Sequence, residues 1–168
     1  GIGRMPGGEA RVYLTFDDGP HPEITPWVLE QLQQSDAKAT FFCIGNNVVK
    51  HPDVYQRVLK AGHSVGNHTF HHTNGWKVSV SDYMNGIREA GRCISSDLFR
   101  PPYGRMTPTQ VRAMRKEFPH MKLILWDVLS GDFDQKLSAE QCVVNIIRHV
   151  RPGSILVFHD SEKAFPRL

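Results

Sequence analysis

The residues able to do chemistry gather at a few places in the chain. Of nine histidines, His63, His68, His71 and His72 fall within ten residues. His68 and His72 stand four apart, and on a helical turn residues i and i+4 share a face and can bind one metal ion together. A second feature lies far upstream, where the apolar run Val12-Tyr13-Leu14-Thr15-Phe16 ends in Asp17-Asp18-Gly19-Pro20. Successive strand residues point to opposite faces, so one carboxylate can join the two histidines in a three-ligand site with open positions. Its neighbour stays available as a base. The chemistry so implied is metal-assisted hydrolysis. Taken singly, the histidine pair also reads as a solvated polar loop and Asp-Asp-Gly-Pro as a plain turn; it is their combination that favours a site.

Something must bring these groups together. Short β-branched and aromatic runs alternate along the chain with segments of helical period. Strands are predicted at 12–16, 39–44, 63–66, 98–99, 123–126 and 154–158, and helices at 26–35, from Pro52 to Gly62, from Ser81 to Ser95, from Thr107-Pro108 and from Ser138. Thr25 is the expected cap of the first helix, with Pro26 at its first position. Such alternation argues for parallel βαβ units. Polar groups follow almost every strand: Asp17-Asp18, the 43–47 loop, His68 to His72, Arg100 to Tyr103, Asp127 to Asp132 and His159-Asp160. In parallel α/β folds the carboxyl ends of the strands form the functional face, so a curled sheet would gather all of these on one rim.

Composition narrows the function classes. The 168 residues suit one domain, and 20 Lys plus Arg against 17 Asp plus Glu is too balanced a charge to suggest nucleic acid. No run approaches the roughly 18 apolar residues of a membrane span, and the chain as it stands opens on no signal-type segment. Cys43, Cys93 and Cys142 form no C-x-x-C pair, which argues against a zinc ribbon or a disulfide framework. Residues 1–10, rich in glycine, are expected to be a flexible lead-in to a domain over 11–168.

Five segments, in order, carry a resemblance: Thr15-Phe16-Asp17-Asp18-Gly19-Pro20, His68-Thr69-Phe70-His71-His72, Arg100-Pro101-Pro102-Tyr103-Gly104, the Trp126 to Asp132 stretch, and Leu156-Val157-Phe158-His159-Asp160. Together they resemble the motifs of the polysaccharide deacetylases, carbohydrate esterase family 4, the NodB homology domain. Lys38 to Phe42 and Gly62 to His68 fit the same pattern between them. The resemblance implies an irregular (β/α)7-type barrel of parallel strands. It also implies a metal-dependent hydrolase removing N-acetyl groups from an N-acetylhexosamine polymer, peptidoglycan or a chitin-like glycan, with an O-acetyl xylan esterase as a variant. Because the fold normally continues after its fifth motif, the expectation is a C-terminally shortened barrel, with Ser161 to Leu168 starting its next helix.

Carried over position by position, the resemblance makes Asp18, His68 and His72 the ligands of a divalent ion, zinc in the usual case, with cobalt or others accepted. It makes Asp17 the base that takes a proton from the attacking water, and His159 the acid that protonates the departing amine. Arg100 would orient the base and Asp132 would tune the acid. The Tyr103 backbone N–H would serve as oxyanion donor, and Leu156 would line the pocket for the acetyl methyl. Phe133 stands where the family has tryptophan, so a smaller ring would meet the sugar; Trp76 is a further candidate for substrate contact.

Several residues read more plainly. Lys38, a candidate partner for Asp132, suits a solvent-facing role; His71 is a neighbour of the ligands, His63 is structural, and Trp27 belongs to the core. The rival functional class is a non-catalytic carbohydrate-binding protein that has kept the fold. Such proteins usually lose a ligand or the base, whereas every matched polar position is present here. A phosphodiester hydrolase would call for further carboxylates and cations. Cell-wall glycans lie outside the cytoplasm, so export is the expectation.

Overall fold

The computed structural model describes residues 1–6 and 10–168. Seven strands, β1 (Tyr13–Asp17), β2 (Ala39–Cys43), β3 (Ser64–Asn67), β4 (Leu98–Phe99), β5 (Lys122–Leu123), β6 (Val128–Leu129) and β7 (Ile155–His159), form one sheet in the order β5-β4-β3-β2-β1-β7-β6. Every pairing within it is parallel. The sheet curls into an incomplete (β/α)7-type barrel flanked by α1 (Ile24–Gln34), α2 (Gly45–Lys50), α3 (Pro52–Lys60), α4 (Val80–Gly91), α5 (Pro108–Glu117) and α6 (Ala139–His149).

Side-chain alternation divides the sheet into two faces. Leu14 and Phe16 of β1 and Phe41 of β2 turn outward to meet Val28, Leu29 and Leu32 of α1, with Phe16 stacked on Phe41 at 5.2 Å and on Phe158 at 5.4 Å. Tyr13, Thr15, Thr40, Phe42 and Ile155 turn inward and line the barrel interior. A second core joins Tyr83, Met84 and Ile87 of α4 to Phe99 of β4 and Met114 of α5. Ser79, Thr107 and Ser138 cap α4, α5 and α6, the last two with full capping boxes.

Local signals fail at several places, among them the 43–47 loop, where α2 begins at Gly45, and the strand expected at 123–126, which stops at Leu123. The short β6 was expected to be loop; it exists because Val128 and Leu129 pair with Leu156 and Val157, a long-range choice. Thr25 is not the cap of α1, since Glu23 holds that position and the Thr25 hydroxyl is used elsewhere. Residues 161–168 make a single 3-10 turn at Phe165–Arg167 instead of a helix start. The opening residues are not a structureless lead-in: Ile2 bridges Ile124 in parallel and Arg4 bridges Ser154 antiparallel, so residues 2–4 link the β5 edge to the start of β7. Residues 7–9 of that expected lead-in lie outside the described residues.

Candidate active site

β1 delivers the first two groups. Its register sets Asp17 beside Phe42 on one side and His159 on the other, so the β7 histidine and the β1 carboxylate are cross-strand neighbours on the inner face. Asp18 adopts a left-handed backbone (φ 84), which redirects the chain at the strand end. The turn is held from three sides. The Asp18 N–H donates to the Phe42 carbonyl at 3.2 Å, Asn47 Nδ2 donates to the Asp18 carbonyl at 2.8 Å, and Gly19 lies against Asp160. A Cβ on Gly19 would stand 2.2 Å from Asp160 Oδ2, so glycine is required by this close approach.

Asp160 is a buried group to which the sequence assigned no role of its own. Thr25 Oγ1 donates to its Oδ2 at 2.6 Å and in turn accepts the His21 N–H at 2.8 Å, while Asp160 Oδ1 finds no partner. Burial pushes this carboxyl up to about 7, and the Thr25 hydrogen bond only partly opposes that.

His68 follows β3 and His72 sits in the loop beyond. They are not on a helical turn: Thr69 and His72 both have positive φ (62 and 56), and the backbone here is irregular. The rings nevertheless converge, with centroids 5.1 Å apart. His68 Nδ1 lies 2.7 Å from the Arg100 carbonyl oxygen. A carbonyl only accepts, so Nδ1 carries the proton and Nε2 presents its lone pair.

That lone pair faces Asp18. Asp18 Oδ1 is 3.4 Å from His68 Nε2 and 3.2 Å from His72 Nε2, and the three groups can place ligand atoms within 4.8 Å of one another. Although these contacts are short, Asp18 Oδ1 is buried without a hydrogen bond of sound geometry. Ligands with bonds of about 2.0–2.1 Å at a tetrahedral centre stand roughly 3.3 Å apart, aiming lone pairs at the centre and not at each other. The donor set therefore fits a divalent ion. Burial alone would raise the Asp18 carboxyl, but the adjacent His68 and His72 outweigh it and hold the group well below the ordinary carboxylate range.

Arg100 follows β4 directly and is fully buried. Its Nη1 donates to Asp17 Oδ1 at 2.8 Å and to Thr15 Oγ1 at 2.7 Å, while Nη2 and Nε reach the carbonyls of Leu125 and Ile124. Phe42 lies 4.2 Å from the guanidinium carbon and Trp126 5.5 Å. A buried cation is tolerable only with its donors satisfied and a counter-charge at hand, and both conditions hold. Thr15 was missed from sequence; its hydroxyl also donates to the Leu156 carbonyl at 2.7 Å, tying β7 to the Arg100 network.

Across the barrel mouth, Asp132 holds His159 twice. Oδ1 lies 2.8 Å from Nδ1, and Oδ2 accepts the His159 backbone N–H at 2.7 Å. Burial works against the imidazolium, but the Asp132 hydrogen bond and the charges of Asp17, Asp132 and Asp18 outweigh it and push His159 up to about 9. Phe133 meets the His159 ring edge-on at 5.6 Å and remains partly exposed, so it borders that histidine. Arg167 Nε donates to the Asp132 carbonyl at 2.7 Å, which anchors this loop from the end of the chain.

One carried-over position is corrected. Leu156 pairs with Leu14, and Phe158 stacks on Phe16, so Leu156 and Phe158 share the outward, helix-facing side of β7. The apolar side chain on the face of His159 is Val157, in register with Thr15. Tyr103, at φ 61, packs its ring 4.7 Å from His72. Trp76 reaches the same margin indirectly, with the Arg105 guanidinium 4.6 Å over its ring. The plainer readings hold as well: Lys38 Nζ donates to the Ala61 carbonyl, His63 Nδ1 accepts the Ala39 N–H, and Trp27 packs at its edge with Phe165.

Comparison with known proteins agrees with this geometry. The polysaccharide deacetylase family model matches residues 4–118. A peptidoglycan-N-acetylglucosamine deacetylase of Bacillus cereus is 34% identical over 162 residues, covering 93% of this chain and 58% of the relative. A chitooligosaccharide deacetylase of Azorhizobium caulinodans is 32% identical over 164 residues, covering 94% of this chain and 77% of the relative. Among solved structures, a peptidoglycan N-acetylglucosamine deacetylase superposes with a TM-score of 0.87 at 34% identity, covering 94% of this chain and 75% of that one. The chain thus spans between somewhat over half and about three quarters of these proteins. With five ordered motifs converging on one rim and a family match over most of the chain, the protein belongs to the polysaccharide deacetylase family.

Proposed function

We propose that the protein is a metal-dependent hydrolase that removes acetyl groups from the amino sugars of a peptidoglycan or chitin-type glycan. The observation that carries this reading is the pairing of Asp17 with His159 across β1 and β7, beside the Asp18, His68 and His72 cluster. An acetamide is a poor electrophile with a poor leaving group, so its hydrolysis needs a polarised carbonyl, an activated water and a proton for the amine. A divalent ion held by Asp18, His68 and His72, zinc being the natural match to two imidazoles and a carboxylate, would supply the first two when bound.

The chain's own residues do the rest. Asp17, oriented by Arg100, takes the proton of the attacking water on one side of the amide. The Tyr103 N–H donates to the oxygen that gains charge, a contribution of about two to three decades in rate for a well-aimed donor. His159 stands on the other side and gives its proton to the nitrogen as the C–N bond breaks. Asp132 keeps that imidazole charged and fixed in direction. Val157 takes the place at the acetyl methyl that was expected of Leu156, and Phe133 borders the sugar. Because such polymers lie outside the cytoplasm, the protein acts at the cell envelope or beyond it.

The test is acetate release from chitooligosaccharides and from peptidoglycan, before and after metal stripping and with zinc or cobalt restored. Release that depends on metal and is lost in Asp17→Asn supports the reading. Sugar binding without acetate release from either substrate would give the protein a binding role instead.

A further inference from the structure

The candidate active site occupies the rim where the strands end, and the opposite face of the barrel carries a feature that the hydrolytic chemistry does not use. A cavity of about 310 Å³ opens there. Tyr13, Leu98, Lys122 and Ile155, the first residues of β1, β4, β5 and β7, all line it. A filled barrel stacks bulky branched side chains in layers along its axis. Here Thr15 of β1 and Thr40 of β2 are register partners, so two short side chains stand side by side on the inner face and leave space unfilled.

The cavity is built from several elements. Thr15 and Phe42 touch it on one side and the Arg100 network on the other: the Thr15 hydroxyl accepts from Arg100 Nη1 at 2.7 Å, and the Phe42 ring lies 4.2 Å from the guanidinium carbon. Ile2 and Met5 enter from the opening segment. That segment is tied at both ends, since the Leu125 N–H donates to the Ile2 carbonyl at 2.7 Å and the Met5 N–H to the Gly153 carbonyl at 2.9 Å. The lining is thus formed before any ligand arrives, which lowers the ordering cost of binding.

Its polar groups divide in two. The Thr15 hydroxyl is spent on Arg100 and on the Leu156 carbonyl. Lys122 is the one charged residue lining the cavity, and among the described residues its side chain makes no hydrogen bond and no ion pair; the same holds for the hydroxyls of Thr40 and Tyr13. Three unspent donors beside an apolar hollow complement a molecule with an apolar body and one anionic end. A cationic end would meet Lys122 as a like charge, and a sugar would leave the apolar walls unmatched. The volume is about twice that of the ~150 Å³ hollow that holds a benzene ring, which suits one chain of about eight carbons and excludes a two-chain lipid.

We propose that the base of the barrel is a binding site for a single-chain carboxylate of medium length, its chain among Phe42, Leu98, Ile124 and Ile155 and its carboxylate at Lys122. The site is separate from the rim, and the proposal does not depend on the deacetylase reading.

NMR of the zinc-loaded protein with labelled isoleucine methyls tests this residue by residue. Octanoate, octanol and octylammonium are titrated below their micelle concentrations, with saturating acetate present throughout so that the rim is already supplied with a carboxylate. Octanoate is expected to bind saturably with a Kd on the order of 0.1–1 mM. Its shifts should concentrate at Ile2, Ile124 and Ile155, while Ile24 and Ile87 of the two outer cores stay in place. Octanol should bind about fivefold more weakly at low ionic strength, the scale of an exposed ion pair, and octylammonium more weakly still. Lys122→Met is expected to bring octanoate to the level of octanol. Thr40→Leu fills the space and should abolish binding of both, with unchanged Ile24 and Ile87 signals reporting that the variant has folded. No saturable shift at Ile2, Ile124 and Ile155, or equal affinity for octanoate and octanol in the unaltered protein, would overturn the proposal.

Discussion

The Nδ1–H of His68 donates to the backbone carbonyl of Arg100 at 2.7 Å, while the Arg100 side chain donates to Asp17 at 2.8 Å. One residue thereby holds His68 through its backbone and Asp17 through its guanidinium, the proposed ligand and the proposed base. A shift of the Arg100 turn would misalign both, which is why the segment after β4 matters beyond its charge.

Asp17 and the three ligand residues should separate cleanly in experiment. Asp17→Asn is expected to keep bound zinc, since Asp18, His68 and His72 are untouched, yet to lower kcat by about two to four decades. His72→Ala should lose the metal instead. Metal content by elemental analysis, set beside acetate release for each variant, checks the division; loss of zinc in Asp17→Asn would make Asp17 a ligand.

Arg100→Met should be costly for the fold as well as for the chemistry. The change leaves the Asp17 carboxylate buried without its cation, a situation worth about 3–5 kcal/mol. Denaturant unfolding should show the loss. Arg100→Lys keeps a charge but cannot reach Asp17, Thr15 and two carbonyls at once, so it should recover only part of the stability and little of the activity.

On the proposed mechanism the alkaline limb of the pH profile is expected to follow His159. Its folded value is raised to about 9 from an ordinary 6.5, so the stability it gains from Asp132 is fully present below 6.5 and is lost as pH rises through about 9. Bound metal would offset the contributions of Asp17 and Asp18, so in the loaded enzyme the limb is expected between those two values. Asp132→Asn should move it toward lower pH and lower the maximum. A pH profile of kcat whose alkaline limb does not move would remove Asp132 from this role.

Asp160 sets a different pH dependence. Burial raises its folded value to about 7 from 3.8, so its contribution is fully present below 3.8 and is lost as pH rises through about 7. Asp160→Asn should flatten the melting temperature between about pH 4 and pH 7, the interval between the ordinary and the shifted value. Thr25→Val should lower stability by about 1–3 kcal/mol by leaving a buried acceptor unmet. Gly19→Ala should be the most disruptive of the three, because its methyl would overlap the Asp160 carboxyl.

Residue type and order determined a good deal here. The alternation of strand runs and helix periods, the caps at Thr107 and Ser138, and the polar groups closing each strand are local patterns, set by side-chain period and backbone preference. The five ordered segments named the family, and with it the residues proposed as ligand triad, base and acid.

Tertiary structure decided what depends on register and on contacts between distant segments. Arg100 and Asp17 are 83 positions apart in sequence and 2.8 Å apart in space. Whether Leu156 or Val157 faces the site turns on a one-residue choice of strand face that no local pattern reveals, and the pairing with β1 settles it. The convergence of His68 and His72 comes from positive-φ loop residues and not from helical spacing. Thr15, Thr25 and Asp160 acquire their roles from partners on other elements, and Arg105 comes to rest on Trp76 because Gly75 admits the two loops to contact. Residue types determine which chemistry is available; parallel pairing and close packing determine which side chains meet, because those energies arise only when distant segments are brought together.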